Sequence, residues 1–338
     1  MFGRWDAGRW RPHGGEHPFA EMGALASADL SLINLETALC ERPESTEKAN
    51  LFAAPRATIE VMAQAGIDWV SMANNHALDC GEDGLEETVE SLEAGGIGVL
   101  GVDSDPILPI KATVKGVELL FVAATDRYSR PCLVPLCPSF YAVGDSFAQH
   151  VLAQVQEARA AAPTGVVIVS LHWGHERIDF PDASQVDLAH TLIDAGANLV
   201  VGHHSHVLQG FEAYNGGVIA YSLGNLLFDM RQPEVALTGL LEVTLRPRPG
   251  SQPDLVALRL HLLRWAGRKV GPSAVQQGDP DAQRVLKASV KKGIAWAWSE
   301  GTLQWAAPTD WSLYRSFGYA AANSSPLPSV GPPGARQE

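Results

Sequence analysis

Four short clusters of histidine, carboxylate and amide residues stand out in this sequence because each one directly follows a short apolar run. The clusters are Glu36, residues 74–76 (NNH), residues 172–176 (HWGHE) and residues 202–206 (GHHSH). Imidazole is the commonest metal ligand in proteins, and carboxylate and amide oxygens extend the choice of metal towards manganese. These clusters contain no cysteine, so their residue types indicate a catalytic metal centre with open water positions and not a closed structural zinc site.

The apolar runs before these clusters are predicted strands, and they explain why the clusters should meet. The runs are residues 30–35, 67–73, 166–171 and 198–201. Amphipathic stretches predicted as helices lie between them, at residues 56–65, 84–94, 147–161 and 184–195. This alternation predicts an α/β fold, in which ligands bind beyond the carboxyl ends of the strands. Two metal ions about 3.5–4 Å apart need a bridging carboxylate, for which Glu36 is the candidate.

Each cluster has a simpler interpretation when it is taken alone. Residues 202–206 are compatible with a surface histidine patch, His76 with a core or capping histidine, and residues 172–173 with simple packing. Asn74 and Asn75 are typical of a turn, and Glu36 of an exposed carboxylate. The occurrence of all four clusters behind predicted strands is what favours a common metal site.

The pattern changes after residue 236. Residues 240–245 and 255–263 alternate like antiparallel strands, and from Trp265 onward the sequence predicts short helical pieces rich in tryptophan. We therefore predict a main domain over residues 1–264 and an extension packed on it over residues 265–323. Residues 324–338 have the Pro, Ser and Gly content of a disordered tail.

Composition excludes some classes of partner. The 338 residues include 25 Lys and Arg against 38 Asp and Glu, a net charge of −13, which disfavours nucleic acid and anionic membranes. No segment reaches the roughly 18 apolar residues of a membrane span. The four cysteines form no C-x-x-C pair, so reduced cytosolic thiols are predicted, with a bridge between Cys132 and Cys137 as the alternative. As written the chain is predicted to be cytoplasmic, or exported or membrane-anchored if the true start lies well upstream.

Five motifs in order carry a resemblance to a known family. They are residues 34–36 (NLE), 73–81 (ANNHALDCG), 172–176 (HWGHE), 202–207 (GHHSHV) and 221–225 (YSLGN). This pattern resembles the CapA family of poly-γ-glutamate capsule biosynthesis proteins, whose fold is similar to the calcineurin-like metallophosphoesterases. The resemblance spans residues 18–229. It implies a four-layered α/β sandwich of two packed sheets, a metallo-dependent phosphatase-like fold, with a dimetal site at one edge.

The resemblance also implies roles for individual residues. Glu36 would bridge two divalent ions (Mn, Fe or Zn), and the remaining ligands would be Asn75, His172, His204 and His206. Which of the three histidines at 203–206 bind metal stays open, so His203 remains a candidate. His76 would be the general acid, or hold the scissile oxygen, and Asp79 would orient it. Further residues would bind metal, support the ligands or face substrate: His175, Glu176, Asn74 and Asn225.

The beginning of the chain departs from the family pattern. The family opens with a short strand that ends in Gly-Asp, whose Asp is a metal ligand, whereas this chain begins Met1-Phe2-Gly3-Arg4. We therefore expect the first strand and its Asp to be missing: either the true start lies upstream or the site lacks one ligand, with Asp6 as a possible substitute. In the second case the chain would bind one metal ion tightly and the second poorly.

Three functions fit this site. The first is a metal-dependent hydrolase of a phosphoester or γ-glutamyl amide, acting on a small molecule, a peptide or a γ-glutamyl polymer. The second is proton abstraction or epimerisation of a peptide at the same site. The third is a non-catalytic accessory subunit of polymer biosynthesis.

Overall fold

The computed structural model describes residues 2–3, 18–41, 50–103, 109–127, 137–138, 145–228, 235–265, 272–290, 292–299 and 301–308. Within these residues the helices are α1 (Gly23–Ser27), α2 (Thr58–Gln64), α3 (Gly81–Ala94), α4 (Asp145–Ala161), α5 (Ala183–Asp194) and α6 (Pro280–Val290). The strands of the first half are β1 (Phe2–Gly3), β2 (Leu32–Glu36), β3 (Ala38–Leu39), β4 (Ala53–Ala54), β5 (Trp69–Ser71), β6 (Gly98–Leu100), β7 (Val102–Asp103), β8 (Ile110–Val114), β9 (Val117–Thr125) and β10 (Cys137–Pro138). The strands of the second half are β11 (Val166–His172), β12 (Leu199–His203), β13 (Phe211–Tyr214), β14 (Gly217–Ala220), β15 (Leu237–Arg248), β16 (Ser251–Arg264), β17 (Ser273–Ala274), β18 (Ala297–Ser299) and β19 (Thr302–Ala306).

A parallel four-stranded sheet has the order β1-β2-β5-β6. Side chains of α2 and α3, including Met62 and Leu92, pack in one buried cluster with strand residues such as Leu35 and Val70. The expectation that the first strand is missing is wrong in part, because β1 pairs with β2 in a short parallel ladder in which Gly3 lies opposite Glu36. Asp6 lies outside the described residues.

A six-stranded sheet has the order β13-β14-β12-β11-β9-β8, and its four central strands are parallel. Strand β11 reads VVIVSLH and is buried along almost its whole length, as expected for a β-branched run in a parallel sheet that is covered on both faces. Helices α4 and α5 contribute Val155 and Leu192 to a buried cluster with Val169 of this sheet.

The four-stranded and the six-stranded sheet contact each other through apolar side chains. Leu100 and Trp69 of the first sheet join Phe121 and Val166 of the second in one cluster, and the rings of Trp69 and Phe121 are stacked 6.0 Å apart. The predicted mixed α/β fold is confirmed. The predicted strand positions hold to within a few residues, and two of the site strands belong to each sheet.

The segment after residue 235 forms an antiparallel sheet of order β15-β16-β19-β18, with β17 also paired to β16. The expectation of short helical pieces rich in tryptophan is wrong for much of this segment. Trp298 and Trp305 lie on β18 and β19, and the described residues beyond 265 include one helix, α6. Strand β16 ends at Arg264 and pairs with β17 and β19, which lie beyond it in the chain, so one sheet includes residues from both sides of the predicted domain boundary. The domain division there stays a prediction, and the predicted tail over residues 324–338 lies outside the described residues.

Cys40 and Cys80 form a disulfide, with Cα atoms 6.3 Å apart. The prediction of reduced thiols is therefore wrong for this pair, which the sequence spacing did not single out. Cys132 and the side chain of Cys137 lie outside the described residues. Among the described helices, none combines the length and apolar character needed to cross a membrane.

Candidate metal centre

Five predicted ligands converge where parallel strands of the four-stranded and the six-stranded sheet end. Glu36 ends β2, Asn75 follows β5, His172 ends β11, and His204 and His206 follow β12. The Nε2 atom of His172 lies 2.8 Å from Asn75 Oδ1, 3.0 Å from His204 Nδ1 and 3.5 Å from Glu36 Oε1. The same Glu36 oxygen lies 3.8 Å from His206 Nε2. These five residues are called the metal cluster below.

These distances fit a metal ion. Ligand atoms about 2.1 Å from a tetrahedral ion lie about 3.4 Å from one another, which falls within the range observed between the donors of the metal cluster. Glu36, His172 and His204 each offer one ligand atom, and these three atoms all lie within 4.8 Å of one another. One oxygen of Glu36 faces both His172 and His206, which is the arrangement expected of a carboxylate between two ions.

The histidines at this site are held in the neutral form that binds metal. Burial, then the neighbouring His204, lowers the pKa of His172 well below its ordinary value. Burial, then His206 and Arg127, does the same to the pKa of His204. Burial lowers the pKa of His206 to about 4, although its hydrogen bond with Asn225 acts in the opposite direction. Burial also lowers the pKa of His203.

The loop that follows β12 has a backbone that most residues avoid. His204 and His206 have φ values of 90° and 60°, in the left-handed region that residues other than glycine rarely adopt. Such strain persists where the surrounding structure enforces it, and it occurs often at functional sites. Gly202 allows close packing before this loop, because a Cβ there would collide with the Tyr221 carbonyl and with Trp173.

Buried amides orient the ligands from behind. The Nδ1–H of His206 donates to Asn225 Oδ1 at 2.9 Å, which leaves Nε2 of His206 to face Glu36. Asn74 donates to the Leu35 carbonyl at 2.9 Å and accepts from the His76 backbone N–H at 3.0 Å. Asn74 and Asn225 thus hydrogen-bond residues next to or within the metal cluster.

His76 and Asp79 form the predicted pair. Nδ1 of His76 lies 2.6 Å from Asp79 Oδ2, and both side chains are buried. With the proton on Nδ1 donated to Asp79, Nε2 is the ring atom left to act on a substrate. His76 lies near the metal cluster, since it contributes to lowering the pKa of His172, His204 and His206.

Three other candidate residues lie differently. His175 is 66% exposed and 3.7 Å from Asp182, so it is not brought into the metal cluster. Glu176 is also exposed, with Arg177 4.0 Å away, although its charge acts on His206. His203 is paired with His172 in adjacent strands and is buried, and its Nδ1 makes no hydrogen bond to the described residues.

Arg127 is a charged residue at this edge that lies outside the five sequence motifs. Its backbone N–H donates to Thr125 Oγ1, whose hydroxyl donates in turn to the His172 carbonyl. Its guanidinium bonds Asp126, and its charge contributes to the lowered pKa of His204. The available signal was positional: Arg127 follows β9, the strand beside β11.

Fold and site together define a mixed α/β protein with a candidate metal centre at the carboxyl ends of its strands. The family model described as "Bacterial capsule synthesis protein PGA_cap" matches residues 3–230. This match covers more than half of the chain, so the chain belongs to that family, and the resemblance to CapA proteins is confirmed.

Curated relatives agree with the family. The chain is 27% identical over 275 residues to "Capsule biosynthesis protein CapA" of Bacillus anthracis (79% of this chain, 65% of that one). It is 27% identical over 259 residues to "PGA biosynthesis protein CapA" of Bacillus subtilis (73% and 63%). It is 29% identical over 222 residues to "Probable polyglutamine synthesis accessory protein Rv0574c" of Mycobacterium tuberculosis (60% and 56%). The chain thus spans less than two thirds of the length of each of these relatives.

Proposed function

We propose that this chain is a metal-dependent hydrolase of poly-γ-glutamate capsule biosynthesis that cleaves a phosphoester or a γ-glutamyl amide bond. The observation that carries the proposal is the convergence of five oxygen and nitrogen donors, each within 2.8–3.8 Å of at least one other, near the buried pair of His76 and Asp79. The names of the capsule and PGA biosynthesis relatives supply the substrate class. We also propose that the two packed sheets and their helices form a four-layered sandwich.

In the proposed reaction the metal cluster, His76 and Asp79 have different roles. Divalent ions (Mn, Fe or Zn) held by the metal cluster would lower the pKa of a bound water and polarise the bond under attack. His76, with Nδ1–H donated to Asp79, delivers a proton from Nε2 to the leaving oxygen or nitrogen as its bond breaks. The Asp79 carboxylate keeps the imidazole in one orientation and balances its positive charge.

A non-catalytic accessory role is the second candidate, because the Mycobacterium tuberculosis relative carries the words "accessory protein" in its name. Location enters the proposal as well. The disulfide between Cys40 and Cys80 favours an oxidising compartment and therefore the exported alternative over the cytoplasmic one.

Metal counting together with turnover tests the proposal. The chain is loaded with Mn, Fe or Zn, and bound metal is counted by mass spectrometry. Hydrolysis of bis-p-nitrophenyl phosphate and of γ-glutamyl p-nitroanilide is then measured, with solvent deuterium uptake into γ-glutamyl peptides as a third assay. His172→Asn removes a buried donor, and His175→Asn is the matched control on the exposed loop.

We expect metal binding and hydrolysis in the wild type and in His175→Asn, and loss of both in His172→Asn. Two ions per chain would also reject the expectation of a weak second site. Tight metal binding by His172→Asn would overturn the assignment of the site. Metal binding without turnover would favour the accessory role, and deuterium uptake without cleavage would favour proton abstraction.

A further inference from the structure

Phe52 lies against the imidazole of His76 in a geometry that sequence patterns do not single out. The two rings are stacked with centroids 3.6 Å apart and planes 9° from parallel. Phe52 directly precedes the short strand β4 and is 8% exposed. An aromatic ring in flat contact with a candidate proton donor restricts the plane in which the donor can lie.

The backbone of the same residue holds the partner of His76. The Phe52 N–H donates to Asp79 Oδ2 at 2.6 Å, and this is the oxygen that lies 2.6 Å from His76 Nδ1. One residue thus fixes the imidazole twice. Its ring sets the imidazole plane, and its N–H fixes the carboxylate oxygen that sets the rotation within that plane.

Phe52 is itself held from two sides. Its ring contacts Phe228 edge to face at 5.3 Å, and Phe228 contacts the His206 ring edge to face at 4.9 Å. Its carbonyl accepts from the Ala38 N–H at 3.3 Å, beside the β3–β4 ladder. A chain of aromatic contacts therefore connects His76 with a residue of the metal cluster.

We propose that Phe52 is a positioning residue for His76, holding its imidazole so that Nε2 faces the metal cluster. This inference rests on the proposed function for the role of His76 as proton donor. The face of the ring is the essential feature, since an aliphatic side chain of similar size fills the space without defining a plane.

Phe52→Leu tests the proposal because it removes the flat face and keeps the backbone N–H. Phe52→Tyr keeps the face and serves as the rescue variant. Phe147→Leu is the matched control, because Phe147 is a buried phenylalanine on α4, in a different core cluster. Each variant is loaded with Zn, and its metal content and urea unfolding are measured beside the wild type.

Two readouts separate positioning from a merely structural role. The first is turnover of paired substrates that share one acyl or phosphoryl group but carry an aryl or an alkyl leaving group. The alkyl group needs the proton from His76, whereas a p-nitrophenolate leaves without it. The second is the ¹⁵N spectrum of labelled histidine, assigned with His76→Gln, which reports the tautomer of His76 without any turnover.

We expect Phe52→Leu to lose about tenfold or more in kcat for the alkyl leaving group, which is part of what a general acid contributes. The aryl substrate, KM, metal content and the Phe52→Tyr and Phe147→Leu variants should change little. In the His76→Gln background Phe52→Leu should cost nothing further. The ¹⁵N signals of His76 should lose the fixed Nδ1–H pattern in Phe52→Leu alone.

Equal losses for both leaving groups, or unchanged ¹⁵N signals of His76, would overturn the positioning role. If the wild type hydrolyses nothing with any metal, the proposed function fails instead. The ¹⁵N comparison then still decides whether Phe52 holds His76.

Discussion

Two buried carboxylates in this molecule, Glu212 and Glu36, have different neighbours. Glu212 on β13 lies 2.5 Å from the Tyr221 hydroxyl, 2.6 Å from Lys292 Nζ and 2.9 Å from His190 Nε2. Burial alone would raise its pKa, but the hydrogen bond of His190 and the charge of Lys292 lower it below the ordinary value. The charge of Glu212 is therefore balanced by the protein itself, as a buried charge requires.

Glu36 is equally buried, but it faces His172 and His206 at 3.5 and 3.8 Å. The pKa of both imidazoles is lowered by burial, so near neutral pH these two side chains are neutral. The comparison contrasts a carboxylate surrounded by hydrogen-bond donors with one that faces neutral imidazoles, as a metal-binding carboxylate would.

Replacing each carboxylate by its amide should give the largest difference between the two sites in metal affinity and in the free energy of unfolding. We expect Glu36→Gln to weaken metal affinity by more than the roughly 10–100-fold that loss of a supporting residue costs, because the charged donor itself is removed. We expect Glu212→Gln to retain the metal and to lower the free energy of unfolding by about 2 kcal/mol, since it removes the carboxylate charge that faces the half-buried Lys292.

Isothermal titration with Zn and urea unfolding of both metal-free variants check these outcomes. Lys292→Met is the control for the contacts of Glu212 and should reproduce the stability loss of Glu212→Gln without affecting the metal. If Glu36→Gln lowered stability and kept its metal, as expected for Glu212→Gln, the distinction between the two carboxylates would be wrong.

The pH dependence of the free energy of unfolding should also differ between the histidines of the metal cluster and Glu212. The pKa of His206 is about 4 in the folded chain, against about 6.5 for an ordinary histidine, so in this window the unfolded chain binds a proton that the folded chain excludes. Stability of the metal-free protein should fall as the pH drops from about 6.5, by up to about 1.4 kcal/mol per pH unit for each such histidine. Glu212, with its lowered pKa, keeps its contribution until the pH falls below about 4.5.

Urea unfolding at pH 7.5, 6.5 and 5.5 measures this slope. Metal-free His206→Asn should show a shallower slope over the same range, because one of the excluded protons is no longer involved. A wild-type stability that stays flat from pH 7.5 to 5.5 would mean that these imidazoles are not held neutral in the folded state.

The positions of the strands could be predicted because the signals are local. A run such as residues 166–171 is apolar and β-branched, and its polar end at His172 marks where the strand meets the site. The prediction of helical pieces in the C-terminal segment was wrong for Trp298 and Trp305, which lie on antiparallel strands. Both tryptophans pack in one apolar cluster, and their spacing in the sequence does not distinguish a strand from a helix. The pairing of Cys40 with Cys80, which lie 40 residues apart, depends on tertiary structure.

The donors of the site could be predicted by residue type, but their partners could not. Asn225 lies in a predicted motif, yet that it supports His206 follows only from the fold, which brings the two together across 19 residues. Phe52 carries no polar signal at all, and its contact with His76 depends on the parallel pairing of β4 with β3. Candidate ligands and acid–base residues can be recognised in a sequence by their type, whereas the residues that orient them are recognised only in the structure.

Asn225→Ala is the mildest change to this site and the one that tests the supporting contacts. The variant removes the acceptor that fixes His206 in the tautomer with its proton on Nδ1, while every proposed ligand stays in place. We expect about 10–100-fold weaker Zn binding, the range typical of a lost supporting partner, with stability of the metal-free chain changed by about 1 kcal/mol. Titration of Asn225→Ala and Asn225→Asp separates orientation from packing, since the aspartate variant keeps an acceptor oxygen at nearly the same position. If the alanine variant bound Zn as tightly as the wild type, His206 would be oriented by the strained loop backbone and not by Asn225.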